Sequence, residues 1–371
     1  MRVLVTNFHP GNGGGHSTYI RYIFKSIDDN STDLFLAAPS TSNIYKEISR
    51  IKPQKVFSVD FPAKIHELKH TFSNAFRLKK IITENRIQVV HVNGNPDHKV
   101  VMLCKFIFRM SFKVIRTKHD ANTIKSSLTY RKLFSKYTDY LIVVSDFQFN
   151  FLLSPDIQNK TTIVKNCIDL SYFSPRPKSK KILQNLDIHD EDIILVSNAG
   201  TTLRKGWHFL VEALSKLEPL KRAKFKVVLI GEEPNKRIIE KYVSSIGMRD
   251  QVIFTGFYDD VRDLISIGDI GFVLSNKVET ISYACREMMA MSKPVLVTDC
   301  GGLPENLKHN YSGWIVKTDS TEDLKKFLEN IEINHIKKFS QRAYQKANKE
   351  FGLNKFSAQM NNFYSDIERK L

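Results

Sequence analysis

Two carboxylates, Glu279 and Glu287, stand eight residues apart in the stretch Ser275–Glu305. Their surroundings read as a buried strand (Gly271 to Ser275), a polar loop and a helix with apolar Ile281, Ala284, Met288 and Met291 at helical spacing. Pro294 and a second apolar strand, Val295 to Val297, follow. Glu279 falls in the loop and Glu287 about two turns into the helix, roughly 8 to 12 Å further along its axis. Two acceptors at that separation can each take hydrogen bonds from hydroxyl groups. The helix N-terminus lies between them, where the amides of Thr280, Ile281 and Ser282 and the positive end of the dipole suit an anion. Taken alone, such a pair is also what any solvated helix carries.

An activated sugar presents its groups in this order: sugar, diphosphate, ribose. Glu279-x7-Glu287 is followed by Met289-Ala290-x-x-Lys293-Pro294-Val295 and by Gly301-Gly302-x-x-Glu305. Together these resemble the donor site of the retaining family 4 glycosyltransferases of the GT-B fold (glycosyl transferases group 1). The resemblance implies an α/β protein of two Rossmann-like, doubly wound domains facing across a cleft. Residues 1–174 would bind the acceptor, residues 175–353 the nucleotide-sugar donor, and a C-terminal helix, 354–371, would return to the first domain. It also implies a retaining transfer in which Glu279 binds sugar hydroxyls and Glu287 ribose hydroxyls. Lys205 with Arg204 would stabilise the departing diphosphate, and His119 would shape the sugar pocket. No strong nucleophile appears on the expected sugar side, which favours front-face substitution over double displacement. Arg204-Lys205-Gly206 opens a helix, and fixed cations there can neutralise a leaving diphosphate without a metal. No cofactor and no metal are expected. Phe257 and Tyr258, followed by Asp259-Asp260, resemble the family's segment near the base; a UDP-sugar is favoured over a GDP-sugar. Two departures stand out: Thr201 occupies a place where the family commonly has Arg, and Cys167 replaces a glycine in the hinge-like Asn166-x-x-Asp169-x-x-x-Phe173.

The first half supplies further candidates. Gly13, Gly14 and Gly15 close a loop at the head of a helix carrying Tyr19, Ile20, Ile23, Phe24 and Ile27, where backbone can approach a ligand closely. In the resembled family this loop faces the donor, so Gly14 and Gly15 join the donor set. It lacks GxGxxG and the Walker lysine, which excludes a dinucleotide or ATP site of those types. Strands alternate with helices, and ligands sit at the carboxyl ends of strands in such sheets. His91, Asn93, Asn95 and Asp120 fall there and are the acceptor-side candidates. His119-Asp120 also matches a strand-ending His-Asp of the family. Asp259-Asp260 and Asp190-x-Asp192 read as caps and polar turns rather than a metal pair, and Arg176 to Lys181 as an exposed linker.

At 371 residues with 42% hydrophobic and 11% aromatic content, the chain is long enough for about two domains and too apolar for disorder. Four scattered cysteines without CxxC spacing indicate neither zinc nor a disulfide framework. The N-terminus runs into a strand rather than a leader and no apolar run would cross a bilayer, so a cytoplasmic protein is expected. Of the net charge of +17, the first 175 residues carry 25 Lys and Arg against 13 Asp and Glu. A helix predicted from Ala63 to Asn85 interleaves Phe72 and Phe76 with Lys64, Lys69, Arg77, Lys79 and Lys80. That pattern fits an anionic membrane surface, as at the inner face of the cell membrane, and a glycan or lipid-linked acceptor in envelope polysaccharide biosynthesis; it equally fits a solvated basic helix face. No nucleic-acid module is legible and no nucleic acid is expected as a partner. The competing readings are a sugar-nucleotide epimerase, a phosphorylase of the same fold, whose cofactor lysine has no evident place, and a non-enzymatic nucleic-acid-binding protein.

Overall fold

Among the described residues, thirteen short strands, most of whose side chains are buried, form two parallel sheets. The structure is a computed structural model that describes residues 1–11, 14–28, 31–62, 68–122, 124, 128–232, 236–258 and 260–371. Gly13, the predicted helix start at 63–67 with Lys64 and Ile65, and Asp259 lie outside the described residues. The first sheet comprises β1 (Arg2–Thr6), β2 (Asp33–Ala38), β3 (Val56–Ser58), β4 (Val89–Val92), β5 (Lys113–Lys118), β6 (Tyr140–Val143) and β7 (Thr161–Ile163). Their order is β3-β2-β1-β4-β5-β6-β7. The second comprises β8 (Ile193–Ser197), β9 (Phe225–Leu229), β10 (Val252–Phe254), β11 (Ile270–Val273), β12 (Val295–Thr298) and β13 (Gly313–Val316), in the order β10-β9-β8-β11-β12-β13. Every pairing is parallel, so each connection crosses a sheet face, and helices cover strands that are buried on both sides. In both sheets the strand order reverses beside the first strand, which opens a crevice at the carboxyl ends.

The chain divides into two compact units, Met1–Cys167 with Leu353–Leu371, and Ile168–Gly352. In the first, the C-terminal helix Leu353–Glu368 packs on the helix Gly14–Ser26. Tyr19 meets Phe356 edge-on, the Ser357 hydroxyl donates to the Ser26 carbonyl at 2.6 Å, and the N-terminal amine pairs with Glu368 at 2.6 Å. In the second, Ile168 donates its amide to the Phe351 carbonyl at 2.7 Å, so the hinge-like segment passes to this unit earlier than the residue 174/175 boundary read from the sequence. The segment Arg176–Lys181 is no loose linker. Arg176 pairs with Asp263 at 2.8 Å, Lys178 with Asp269 at 2.7 Å, and Ser179 caps a helix, Lys180–Asn185. Cys167 is buried and not among the residues with positive φ, so it stands in for the family's glycine without strain.

Candidate functional site

In the second unit the crevice lies between β8 and β11, and the segments that follow those two strands carry the predicted donor residues. After β8 the chain makes a tight turn, Leu203–Lys205, closed by Gly206 at φ +69°. A Cβ on Gly206 would lie 1.8 Å from the Leu274 carbonyl oxygen, so only glycine lets this turn rest on the end of β11. The Asn276 amide donates to the Arg204 carbonyl at 3.2 Å and fixes the same contact. The Lys205 ammonium thereby reaches Glu279 Oε1 at 2.6 Å, an oxygen that also accepts from the Ser275 hydroxyl at 2.8 Å. The Arg204 side chain is exposed.

Glu279 is held from behind by the Gly301-Gly302 pair. Gly301 has φ +60°, a Cβ there would come within 2.2 Å of the Glu279 carbonyl oxygen, and the Gly302 amide donates to that oxygen at 2.8 Å. The glycine pair of the sequence motif is thus the seat of the first carboxylate.

The helix itself begins later than the apolar spacing predicts. It runs Tyr283–Ala290, with Ser282 in extended conformation as N-cap, its hydroxyl accepting from the Cys285 amide at 3.2 Å. Thr280, Ile281 and Ser282 therefore form the arm leading into the helix, and the first-turn amides without intrahelical acceptors begin at Tyr283. Glu287, one turn on from Tyr283, is half-buried at the residue level, and its carboxylate is packed among protein groups. Burial pushes its acid constant up to about 7, opposed by a hydrogen bond from Asn198 Nδ2 to Oε2 at 2.6 Å. Asn198 directly follows β8, so Glu287 and Lys205 are both tied to the same strand end. No motif in the sequence marks Asn198, which stands one residue past β8.

The remaining donor-side predictions divide. Thr201 is buried, its hydroxyl donating to the Glu232 carbonyl and its own carbonyl accepting from Trp207 Nε1 at 2.7 Å, so the family's usual arginine position is part of the packing here. Phe257 is exposed. Asp260 takes the Arg262 guanidinium and amide, as a cap does. Lys293 braces the fold by donating to the Ser266 carbonyl at 2.8 Å, and burial lowers its acid constant to about 8. Among the described residues no group of three His, Cys, Asp or Glu side chains is arranged to hold a metal.

In the first unit the corresponding crevice lies between β1 and β4. The loop after β1 brings His9 and His16 within 3.2 Å, Nε2 to Nδ1, and His16 meets the His119 ring edge-on at 4.5 Å. The Asn93 amide donates to the Thr6 carbonyl at 3.0 Å, which leaves its oxygen to accept from His119 Nε2 at 3.2 Å. Burial, the leading cause in each case, depresses the acid constants of His9, of His16 to about 3, and of His119. The array is neutral near pH 7. His9 and His16 stood in the glycine-rich string and were overlooked beside its glycines. Gly14 opens the helix of this loop at φ +51° with open space around a would-be Cβ, and Gly15 is exposed.

The acceptor-side candidates are engaged within the first unit to different degrees. His91 does not emerge at a strand end: it lies inside β4, fully buried, its two ring nitrogens taken by Tyr364 and Thr117 at 2.7 Å each. Asn95 accepts from Arg116 at 3.2 Å, and Arg116 stands 3.8 Å from Asp97, a buried pair. Asp120 is held by Lys118 at 2.7 Å. Burial alone would raise its acid constant, but the Lys118 charge and hydrogen bond outweigh it and the net direction is down. His91 is removed from the surface because β4 is a central strand covered on both faces, whereas Asn93, just past its end, serves as the bracket of His119.

The fold defines a class: two Rossmann-like units, each a parallel sheet with a crevice at its strand order reversal, the architecture of the GT-B glycosyltransferases. Comparison with known proteins agrees. Residues 13–172 match Glycosyltransferase Family 4 and residues 178–350 match Glycosyl transferases group 1. The chain belongs to the glycosyltransferases of this family. It is similar to N-acetyl-alpha-D-glucosaminyl L-malate synthase of Bacillus anthracis, with 23% identity over 308 residues covering 80% of this chain and 79% of that protein. It is also similar to the N,N'-diacetylbacillosaminyl-diphospho-undecaprenol alpha-1,3-N-acetylgalactosaminyltransferase of Campylobacter jejuni, with 23% identity covering 87% and 89%. Among solved structures, Anabaena Alr3699/HepE in complex with UDP-glucose superposes with a TM-score of 0.83 at 17% identity, covering 99% of this chain and 100% of that one, a likeness of fold.

Proposed function

We propose that this glycosyltransferase moves a sugar, with retention and without a metal, from a UDP-sugar to a glycan or lipid-linked acceptor of a bacterial-type envelope polysaccharide. The observation that carries the reading is the pair of carboxylates fastened to one strand end, Glu279 through Lys205 and Glu287 through Asn198. Lys205 and Glu279 satisfy one another across 2.6 Å. A donor would separate their tasks: the diphosphate takes the Lys205 ammonium, and the freed carboxylate accepts from sugar hydroxyls. The hydrogen bonds from ribose hydroxyls fall to Glu287. Positive charge from Lys205, from the exposed Arg204 and from the N-terminus of the helix Tyr283–Ala290 meets the charge that develops on the leaving diphosphate, which is where fixed cations lower the barrier most. His119 keeps the role on the transferred sugar that the family resemblance implies. The UDP-glucose complex of the Anabaena protein and the diphospho-undecaprenol in the Campylobacter enzyme's name support the donor and acceptor classes. The cytoplasmic side of a membrane is the compartment where such donors and acceptors meet.

Two truncations test the assignment of the carboxylates. Glu287→Ala is expected to weaken free UDP by about 1.5 to 3 kcal/mol, the value of a hydrogen bond to a charged group. Glu279→Ala is expected to spare UDP and to depress turnover. Calorimetric UDP affinity equal in wild type and Glu287→Ala removes the ribose assignment.

A further inference from the structure

His91 is fully buried, and Asn95 and Asp120, each half-buried, are already hydrogen-bonded to Arg116 and Lys118. Among the described residues, a second region of the first unit offers polar groups with no such partner. Beyond the histidine array, at the carboxyl ends of β1, β2 and β3, lies an open cavity of about 340 Å³, in the range of small-molecule pockets. Its walls are apolar and stiff: the rings of Phe8 and Phe61 together with Pro10, Pro39 and Pro62. Phe8 also meets the His9 ring, tilted by 37° with centroids 3.9 Å apart, so this wall is shared with the histidine array. A Cβ at Gly94 would fall within 2.1 Å of two atoms of that ring, which fixes Phe8 in place.

Four polar residues complete the lining: Thr41, Asp60, His70 and Asn74. Asn74 bridges the strand end to the adjoining helix, accepting from the Asp60 amide at 3.3 Å and donating to the His70 carbonyl at 2.8 Å. It thereby sets Asp60 and His70 side by side. Among the described residues no hydrogen bond is made by the Asp60 carboxylate, the Thr41 hydroxyl or the His70 ring. A carboxylate, a hydroxyl and an imidazole set around aromatic and proline faces match a ligand with hydroxyls on its rim and C–H groups on its face.

We propose that this cavity is the acceptor subsite and that it takes the ring of a saccharide, Asp60 accepting from its hydroxyls and Phe8 and Phe61 covering its apolar face. The proposal rests on the transferase reading above. It places the acceptor beside the β1 loop rather than on the β4 and β5 strand ends.

Saturation-transfer NMR with the methyl glycosides of glucose, galactose and N-acetylglucosamine tests it on the full chain. UDP-glucose affinity measured on the same wild-type protein reports on the donor reading by itself. At least one glycoside is expected to bind wild type and Glu279→Ala alike. It should bind about tenfold or more weakly to Asp60→Asn, a loss fitting one hydrogen bond to a charged group. Thr41→Val is the second, independent variant; both are exposed positions, and unchanged melting temperatures show that each folds. Glycoside binding that is absent in wild type, or undiminished in both variants, overturns the subsite. If wild type then still binds UDP-glucose, the transferase reading survives; if glycosides bind as expected and UDP-glucose does not, the donor reading fails and the subsite stands.

Discussion

Glu287 is the residue whose chemistry can be read out most simply, because burial places its acid constant near 7. Between the ordinary carboxylate range and pH 7 the folded chain holds this proton while the unfolded chain does not. Its contribution to folding stability therefore falls as pH rises through that window. Binding has the opposite sign, since ribose hydroxyls donate to the carboxylate and not to the acid. The affinity for UDP-glucose, whose diphosphate is ionised throughout, is expected to rise with pH across about 6 to 8 in wild type. Glu287→Gln should be flat over the same range. Calorimetric titration at several pH values checks this, and parallel curves for the two proteins would dissociate Glu287 from the ribose. Glu279, Glu287 and Lys205 were legible in the sequence because the family's spacing marks them. Asn198, which holds Glu287, was not: an amide ending a strand carries no local signature of a partner far along the chain.

Elements decide how those side chains are aimed. The Gly301-Gly302 pair was visible as a motif, but its task, seating the Glu279 backbone, follows only from the tertiary approach of two loops after β11 and β12. Gly301→Ala has to move that backbone or distort a left-handed φ, at a cost on the order of 1 to 3 kcal/mol. Thermal unfolding should shift accordingly, and turnover should drop while UDP affinity holds, because Glu287 stands on the other element. Turnover equal to wild type would show that Glu279 tolerates displacement. Apolar runs made the strands around the carboxylate pair readable, and the alternation of strands with helices implied doubly wound sheets. What escaped was short: β3 and β13, of three and four residues, and the helices Leu128–Ser135 and Lys180–Asn185. Segments of that length hold too few residues for periodicity, and tertiary pairing supplies their stability. The late start of the helix at Tyr283 has a plain cause. Ile281 is buried and fits the apolar spacing, yet the Ser282 side chain claims the N-cap.

At the scale of the whole molecule the charge is uneven, and the first unit adds exposed aromatic side chains to its basic excess. On the helix Leu68–Glu84, Phe72 is 44% and Phe76 59% exposed; Phe76 meets Phe108 edge-on, and the Lys79 ammonium sits 4.8 Å over that ring. Phe106 and Ile107, at the end of the helix Asn95–Ile107, are exposed as well. No helix among the described residues is long and apolar enough to cross a membrane. Each Lys or Arg near an anionic surface contributes about 1 kcal/mol, and wedged phenylalanine adds a part that salt does not screen. Wild type is expected to sediment with anionic liposomes, less at high salt, and a variant with Arg77, Lys79 and Lys80 changed to Glu to remain in solution. Equal sedimentation of the two would return this helix to an ordinary solvated face and favour an acceptor free of lipid. The central claim, transfer from a nucleotide-sugar, is tested most directly by incubating the pure protein with UDP-, GDP- and ADP-sugars in excess EDTA and following release of nucleoside diphosphate. Slow release is expected, fastest from a UDP-sugar and lost in Glu279→Ala and Lys205→Ala. No release from any of these donors, or release that appears only when magnesium or manganese replaces EDTA, would contradict a metal-independent transferase working through Glu279 and Lys205.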